Sequence, residues 1–291
     1  MMEKPWPFSR PSQEDDLSTV ADRDEYLTQF LKRLIEDTGE VEKAIESLVA
    51  AQGIPKRIAE SIACDLGILP KRYKLNAGTL GFEGQKRLLC SQVMIVGLGG
   101  LGGHVVEQLV RCGTGIVIGV DADRFDETNL NRQLYADLNS IGRRKTEVAE
   151  DRVATINDAV EFRSLACKVE DLEDKAYEGV DLIFDCLDSI PSRLYLQHVG
   201  ERFAVPLIHG AIGGWYGQVA VVWPGSQLLS NIYGGGQQGI EKDLGNPPFT
   251  PAFVATLMVT EGIKVLLGLK QKENGLFFVD LLNNQWEYVT L

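Results

Sequence analysis

Residues 93–102 have the sequence VMIVGLGGLG, an apolar run followed by a turn of the form Gly-x-Gly-x-x-Gly. A continuous apolar run is typical of a strand buried in a parallel sheet. The turn contains the glycines Gly97, Gly99, Gly100 and Gly102. Glycine is needed where the chain turns sharply and a phosphate approaches the backbone closely. A helix beginning at Leu101 offers free N–H groups to an anion, so this strand–turn–helix pattern predicts a nucleotide site.

Strands and helices alternate along the sequence that follows this turn. The predicted strands are residues 93–96, 116–120, 160–165, 181–186, 206–211, 218–223, 276–281 and 285–290. The predicted helices are residues 101–112, 143–156, 191–203 and 251–267. This order predicts an α/β, Rossmann-like, doubly wound and mostly parallel sheet. Asn283 and Asn284 separate the last two strands and predict an antiparallel hairpin at one edge.

The rest of the chain divides into three predicted parts and one long loop. Residues 1–22 are polar and proline-containing, which predicts a flexible arm. Residues 23–69 show apolar side chains at helical spacing and predict a small helical module. Residues 70–291 form the predicted nucleotide-binding domain. Within it, residues 224–251 are rich in glycine and proline and predict a loop of functional length.

Composition narrows the class of protein. The chain has 291 residues and a net charge of −12, so we expect no membrane partner and no nucleic-acid partner. Its first 16 residues lack the apolar core of a signal peptide, and we expect a cytoplasmic protein. The five cysteines form no Cys-x-x-Cys pair, so we expect neither structural zinc nor a disulfide framework.

Charged side chains beyond the turn indicate whether the nucleotide is a dinucleotide or ATP. Asp121 and Asp123 follow the second predicted strand, where a carboxylate commonly binds ribose hydroxyls. Up to this point a dehydrogenase explains the pattern equally well. Arg132 and Lys145 then supply positive charge suited to a triphosphate, and Asp188 supplies a carboxylate for a metal. The residues therefore favour ATP and magnesium over a dinucleotide that transfers hydride.

Several motifs occur in an order that resembles a known family. They are IVGLGGLGG at 95–103, VDAD at 120–123, TNLNRQ at 128–133, GRRK at 142–145 and DCLDS at 185–189. Over roughly residues 70–291 the chain resembles the ThiF/MoeB/HesA family, the prokaryotic relatives of the ubiquitin-activating enzymes. The resemblance implies a homodimer that uses Mg-ATP to adenylate the C-terminal glycine of a small ubiquitin-like sulfur carrier ending in Gly-Gly. It also implies nucleotide contacts at Gly100, Asp121, Asn129, Arg132, Lys145, Asp188 and Ser189.

The chain departs from the family pattern in three places. Ser230-Asn231-Ile232-Tyr233 stands where many relatives have the first cysteine pair of a zinc site. There is no cysteine after Cys186, whereas many relatives carry one in the long loop, so we expect release of the acyl-adenylate without a loop-cysteine thioester. In the segment 72–76, Leu75 replaces the arginine that the family sends across the dimer. Either Lys74 or Arg72 replaces it, or the activity is weakened or lost.

The residues leave two other hypotheses beside the adenylating enzyme. The first is a non-catalytic nucleotide-binding scaffold, which Leu75 and the helical module favour. The second is an enzyme like the tRNA threonylcarbamoyladenosine dehydratases, which Asp188 and Ser189 favour and the acidic charge disfavours.

Overall fold

The computed structural model describes residues 20–234, 244–272 and 274–291. The helices are α1 (Val20–Thr38), α2 (Val41–Gln52), α3 (Lys56–Asp65), α4 (Ala77–Cys90), α5 (Gly100–Cys112), α6 (Lys145–Ile156), α7 (Ile190–Phe203), α8 (Leu228–Tyr233) and α9 (Phe249–Leu266). The strands are β1 (Gln92–Val96), β2 (Ile116–Val120), β3 (Glu161–Leu165), β4 (Leu182–Asp185), β5 (Leu207–Gly213), β6 (Tyr216–Val222), β7 (Gly275–Asp280) and β8 (Gln285–Thr290). Most of the predicted arm, residues 1–22, lies outside the described residues.

A single eight-stranded sheet organises the chain, in the order β3-β2-β1-β4-β5-β6-β7-β8. Strands β1 to β5 run parallel, and β6, β7 and β8 pair antiparallel. The predicted mostly parallel α/β sheet with an antiparallel edge is therefore confirmed. The order reverses direction at β1, which pairs with β2 on one side and β4 on the other. Ligands of such sheets bind at this reversal, beyond the carboxyl ends of the strands.

Helices cover both faces of the sheet and create two cores. One core contains Val105 and Leu109 of α5, Val153 of α6 and Met258 of α9, packed on the first sheet face. The other contains Leu196 of α7 and Leu229 of α8, packed on the opposite face. By length and composition alone α9 could cross a membrane, but it packs against α5, β5 and β6.

The prediction of a loop over residues 224–251 was wrong in part, because helix α8 lies within this range. Leu228 and Leu229 of this short helix are buried against the sheet, and Leu229 N–H donates to Gln197 Oε1 at 2.8 Å. Burial of two apolar side chains stabilises a helix that its own sequence does not favour. Residues 235–243 of the predicted loop lie outside the described residues.

Helices α1, α2 and α3 have a core of their own, which includes Leu31, Ile45 and Leu48. The module meets the sheet domain through buried polar groups. Tyr73 is fully buried. Its hydroxyl donates to Glu60 Oε2 at 3.2 Å and accepts from Asn157 Nδ2 at 2.9 Å. Burial raises the pKa of Glu60 to about 6, against the opposing effect of Arg72.

This buried carboxyl predicts a pH-dependent stability. Glu60 binds its proton more tightly in the folded chain, so its contribution is present below pH 4.5 and is lost as pH rises through about 6. The shift corresponds to about 2 kcal/mol of unfolding free energy. Glu60→Gln keeps the acceptor for Tyr73 and is expected to remove this pH step, measured by urea unfolding between pH 4.5 and 7.

The exposed Glu46 on α2 offers a matched control. Glu46→Gln should retain the full pH step of the original protein. An unchanged step in the Glu60→Gln protein would refute the assignment.

Candidate nucleotide site

The glycine turn connects β1 to α5 at the point where the strand order reverses. Gly97 has φ of +92°, and a Cβ there would lie 2.7 Å from the carbonyl oxygen of Cys186, which follows β4. Its N–H donates to Val120 O of β2 at 2.8 Å. The turn is therefore clamped between the ends of β2 and β4, and only glycine satisfies both the conformation and the space.

The amino end of α5 faces the segment that contains Arg132. The helix begins at Gly100, and Gly99 before it provides no side-chain cap. The N–H groups of a first helical turn have no partner within the helix and can bind an anion. A Cβ added at Gly99 would lie 3.4 Å from Gln133 Nε2, and one added at Gly100 would lie 3.8 Å from Arg132 Cγ.

Lys145, Asp121 and Asp123 form a charged cluster beside the turn. Lys145 is the first residue of α6 and is only 7% exposed. Its Nζ lies 3.0 Å from Asp123 Oδ2 and 3.7 Å from Asp121 Oδ2. The oxygens of Asp121 accept the N–H groups of Leu98 at 2.7 Å and Asp123 at 2.8 Å. Asp121 thus ties the glycine turn to the end of β2, and its remaining lone pairs can accept ribose hydroxyls.

Asn129 and Arg132 lie in the segment between β2 and α6. Asn129 is buried, and its Oδ1 accepts the N–H of Asp126 at 3.2 Å in a reciprocal cap. Arg132 Nη1 donates to Thr128 O at 3.1 Å and to Asn131 Oδ1 at 2.8 Å. These contacts use one guanidinium nitrogen, so Arg132 retains donors for a phosphate.

Asp188 and Ser189 follow β4 at the same carboxyl edge of the sheet. Asp188 is exposed, and Ser189 precedes α7 without capping it through its side chain. A single exposed carboxylate suits magnesium, which usually takes one or two carboxylates together with substrate phosphates. The donor chemistry of Asp188 therefore fits the metal that the sequence predicts. Within the described residues no group of three or more His, Cys, Asp or Glu side chains could hold a metal ion by itself.

The surroundings of Leu75 distinguish between Lys74 and Arg72 as replacements for the arginine that the family carries at this position. Leu75 is 99% exposed. Arg72 donates through Nη1 to Asn157 Oδ1 and through Nη2 to Asp158 Oδ1, the latter at 2.7 Å. Because Arg72 already bonds Asn157 and Asp158, the exposed Lys74 is the less constrained of the two cations proposed to replace the arginine.

Further residues border the turn without having been predicted as nucleotide contacts. Gln133 is 7% exposed, and its Oε1 has no hydrogen-bond partner in the described part of the chain. Pro251 would lie 3.5 Å from a Cβ at Gly100, and Asn131 Nδ2 donates to Asn246 O at 3.0 Å. Asn246 and the first turn of α9, at Pro251, thus lie beside the glycine turn and the segment that contains Asn131. Gln133 carried a sequence signal through its position in the run 128–133, and Asn246 and Pro251 carried one through the loop predicted at residues 224–251.

Cys186 is the cysteine that borders the turn. Burial raises the pKa of its thiol well above the usual range. A thiol is a nucleophile only as thiolate, so Cys186 is poorly suited to covalent chemistry at neutral pH.

Comparisons with known proteins agree with this geometry. A profile of the ThiF family matches residues 73–291. A sulfur carrier protein adenylyltransferase of Thermus thermophilus is 32% identical over 232 residues, covering 73% of this chain and 83% of the relative. The SAMP-activating enzyme E1 of Haloferax volcanii is 31% identical over 216 residues, covering 72% and 80%. The fold is similar to that of E. coli MccB crystallised with ATP, with TM-score 0.63, 20% identity and coverage of 84% and 82%.

Proposed function

Because the chain belongs to the ThiF family, we propose that it is a nucleotidyltransferase that uses ATP to adenylate a small sulfur carrier protein. The observation that carries this proposal is the pair of cations beyond the glycine turn. Lys145 lies within 3.7 Å of Asp121, and Arg132 borders Gly100. A triphosphate needs such charge while pyrophosphate leaves, whereas a dinucleotide needs less.

The proposed reaction transfers the adenylyl group to the carboxylate of the carrier's terminal glycine. A carboxylate oxygen attacks the α-phosphorus, the bond to the bridging oxygen breaks, and pyrophosphate leaves with both electrons of that bond. The carboxylate is ionised at neutral pH, so no general base is required. The turn and α5 orient the phosphates, and Lys145 and Arg132 stabilise the charge of the leaving group. Asp188 would hold magnesium together with the phosphates, and the metal would supply further charge neutralisation there.

We further propose that the product is an acyl-adenylate and that the protein forms no thioester on a loop cysteine. The sequence has no cysteine after Cys186, and burial of the Cys186 thiol raises its pKa. The homodimer and the Gly-Gly terminus of the carrier, both implied by the family, belong to the same proposal.

Exchange of labelled pyrophosphate into ATP tests the reaction directly. We expect exchange only with a ubiquitin-like carrier that ends in Gly-Gly, and none with the same carrier lacking its last glycine. Asp188→Asn, which conserves side-chain size, is expected to lower exchange about 100-fold or more through loss of the metal ligand.

Asp37→Asn alters an exposed carboxylate on α1 of the helical module and should leave exchange unchanged. Full exchange in the Asp188→Asn protein would remove Asp188 from the site.

A non-catalytic scaffold is the second candidate, favoured by the exposed Leu75 and by Arg72 being held within its own subunit. ATP binding with no exchange for any Gly-Gly carrier would establish the scaffold instead.

A further inference from the structure

A buried chain of polar side chains begins at the end of β4, next to the glycine turn. Asp185 and His209 are both completely buried. His209 Nδ1 lies 2.7 Å from Asp185 Oδ2, across neighbouring parallel strands. Neither residue belongs to the proposed reaction. Burying two ionisable groups is costly unless each is hydrogen-bonded, so their partners decide what the pair does.

The hydroxyl of Tyr233 completes the hydrogen bonds of His209. It accepts from Gln218 Nε2 at 2.7 Å and from Arg193 Nη1 at 3.0 Å. A phenol has one proton to donate, and the remaining partner is His209 Nε2 at 2.9 Å. This arrangement places the imidazole proton on Nδ1, facing Oδ2 of Asp185. Burial lowers the pKa of His209 and raises the pKa of Tyr233 to about 12, which agrees with two neutral rings.

Leu187 is held from both sides by this same set of residues. Its N–H donates to Asp185 Oδ1 at 3.1 Å. Its carbonyl oxygen accepts two bonds from Arg193, from Nε at 3.0 Å and from Nη2 at 2.6 Å. Asp188 is the next residue along the chain. Fixing both peptide groups of Leu187 therefore fixes the backbone from which the Asp188 carboxylate extends.

Tyr233 also ties helix α8 to these residues. It is the last residue of α8, whose Ser230 Oγ accepts from Gln197 of α7 at 3.0 Å. The hydrogen bonds of one phenol thus join α8 to Arg193 of α7, His209 of β5 and Gln218 of β6.

We propose that His209, Tyr233 and Arg193 are positioning residues, which hold the Leu187 backbone so that Asp188 meets the metal and phosphates of the bound nucleotide. The role given to Asp188 rests on the proposed function. The clamp on Leu187, meaning its bonds to Asp185 and Arg193, rests on the observed hydrogen bonds alone. A purely structural role would stabilise the whole core instead of this loop.

Tyr233→Phe tests the clamp because it removes one hydroxyl and leaves the ring. Hydrogen exchange by mass spectrometry, without nucleotide, should show amides in residues 186–189 exchanging about tenfold faster. Amides of β2 should be unchanged. Tyr177→Phe is the matched control, since Tyr177 is buried in the core that contains Leu196 and Leu229, and among the described residues its hydroxyl bonds Val169 O alone, at 3.5 Å.

The consequence for the site is measured by ATP binding in excess magnesium and in EDTA. We expect Tyr233→Phe to lose most of the gain in affinity that magnesium provides, as Asp188→Asn does, while Tyr177→Phe keeps it. Unchanged exchange at residues 186–189, or equal acceleration throughout the chain, would overturn the clamp. A preserved magnesium effect in Tyr233→Phe would overturn its link to Asp188. Failure of the original protein to bind ATP would refute the proposed function, whereas the hydrogen-exchange result at residues 186–189 would still test the contacts of Leu187.

Discussion

Gly102→Ala is expected to abolish ATP binding and to lower the stability of the domain. A Cβ at this position would lie 1.8 Å from the carbonyl oxygen of Gly97 and 3.5 Å from Ile95 Cγ2. The first is far below any tolerable contact, so the turn or α5 must move. Overpacking of this kind costs about 1–3 kcal/mol of unfolding free energy. Displacing the turn also misaligns the N–H groups that face the phosphates, and calorimetric titration should detect no binding.

Gly103 provides a control one residue along the same helix. A Cβ there would meet Leu134 Cβ at 3.5 Å, an ordinary contact. Gly103→Ala should therefore bind ATP normally and gain stability, because alanine favours helix over glycine by about 1 kcal/mol. Normal binding by Gly102→Ala would show that the turn does not hold the phosphates.

Lys145→Met is expected to lower carrier-dependent pyrophosphate exchange by about 100- to 1000-fold, the effect of removing one preorganised charge donor. Methionine keeps much of the aliphatic stem of a side chain that is only 7% exposed. The charge that faces Asp121 and Asp123 is lost, and with it the stabilisation of departing pyrophosphate. Steady-state exchange at saturating ATP separates this loss from weakened binding.

Lys175→Met is the matched control, since Lys175 is an exposed lysine paired only with Glu173, at 2.6 Å. It should exchange at the original rate. Equal activity in the Lys145→Met protein would exclude Lys145 from the chemistry and favour a site in which Arg132 acts alone.

Periodicity predicted the order and type of most elements of the sheet domain, because those strands and helices are long enough to show their own pattern, although helix α4 (Ala77–Cys90) was not predicted. The antiparallel edge followed from the closing hairpin at Asn283 and Asn284, which joins β7 to β8. The short helix α8 was missed because its stability comes from burial of Leu228 and Leu229, which no local pattern displays.

The candidate site was predicted unevenly for a similar reason. Gly97, Asp121 and Lys145 belong to motifs, and the structure brings them to one edge of the sheet. Their separate roles in nucleotide binding stay predictions. Gln133 carried a weak signal within its motif, while His209 and Tyr233 carried none, because isolated polar residues on a strand and a helix do not show which partners they will meet.

The sequence alone predicted the class of fold, the glycine turn and ATP as the nucleotide, because the elements and motifs behind these predictions are each visible in short stretches of the chain. Only the tertiary structure decided that Arg72 is held by Asp158 and that Asp185 meets His209. These contacts join residues that lie far apart in the chain, and the second joins neighbouring strands of the sheet. The hydrogen bonds of a buried polar group depend on the folded arrangement of the chain, because most such groups are stable only where they find a partner within reach.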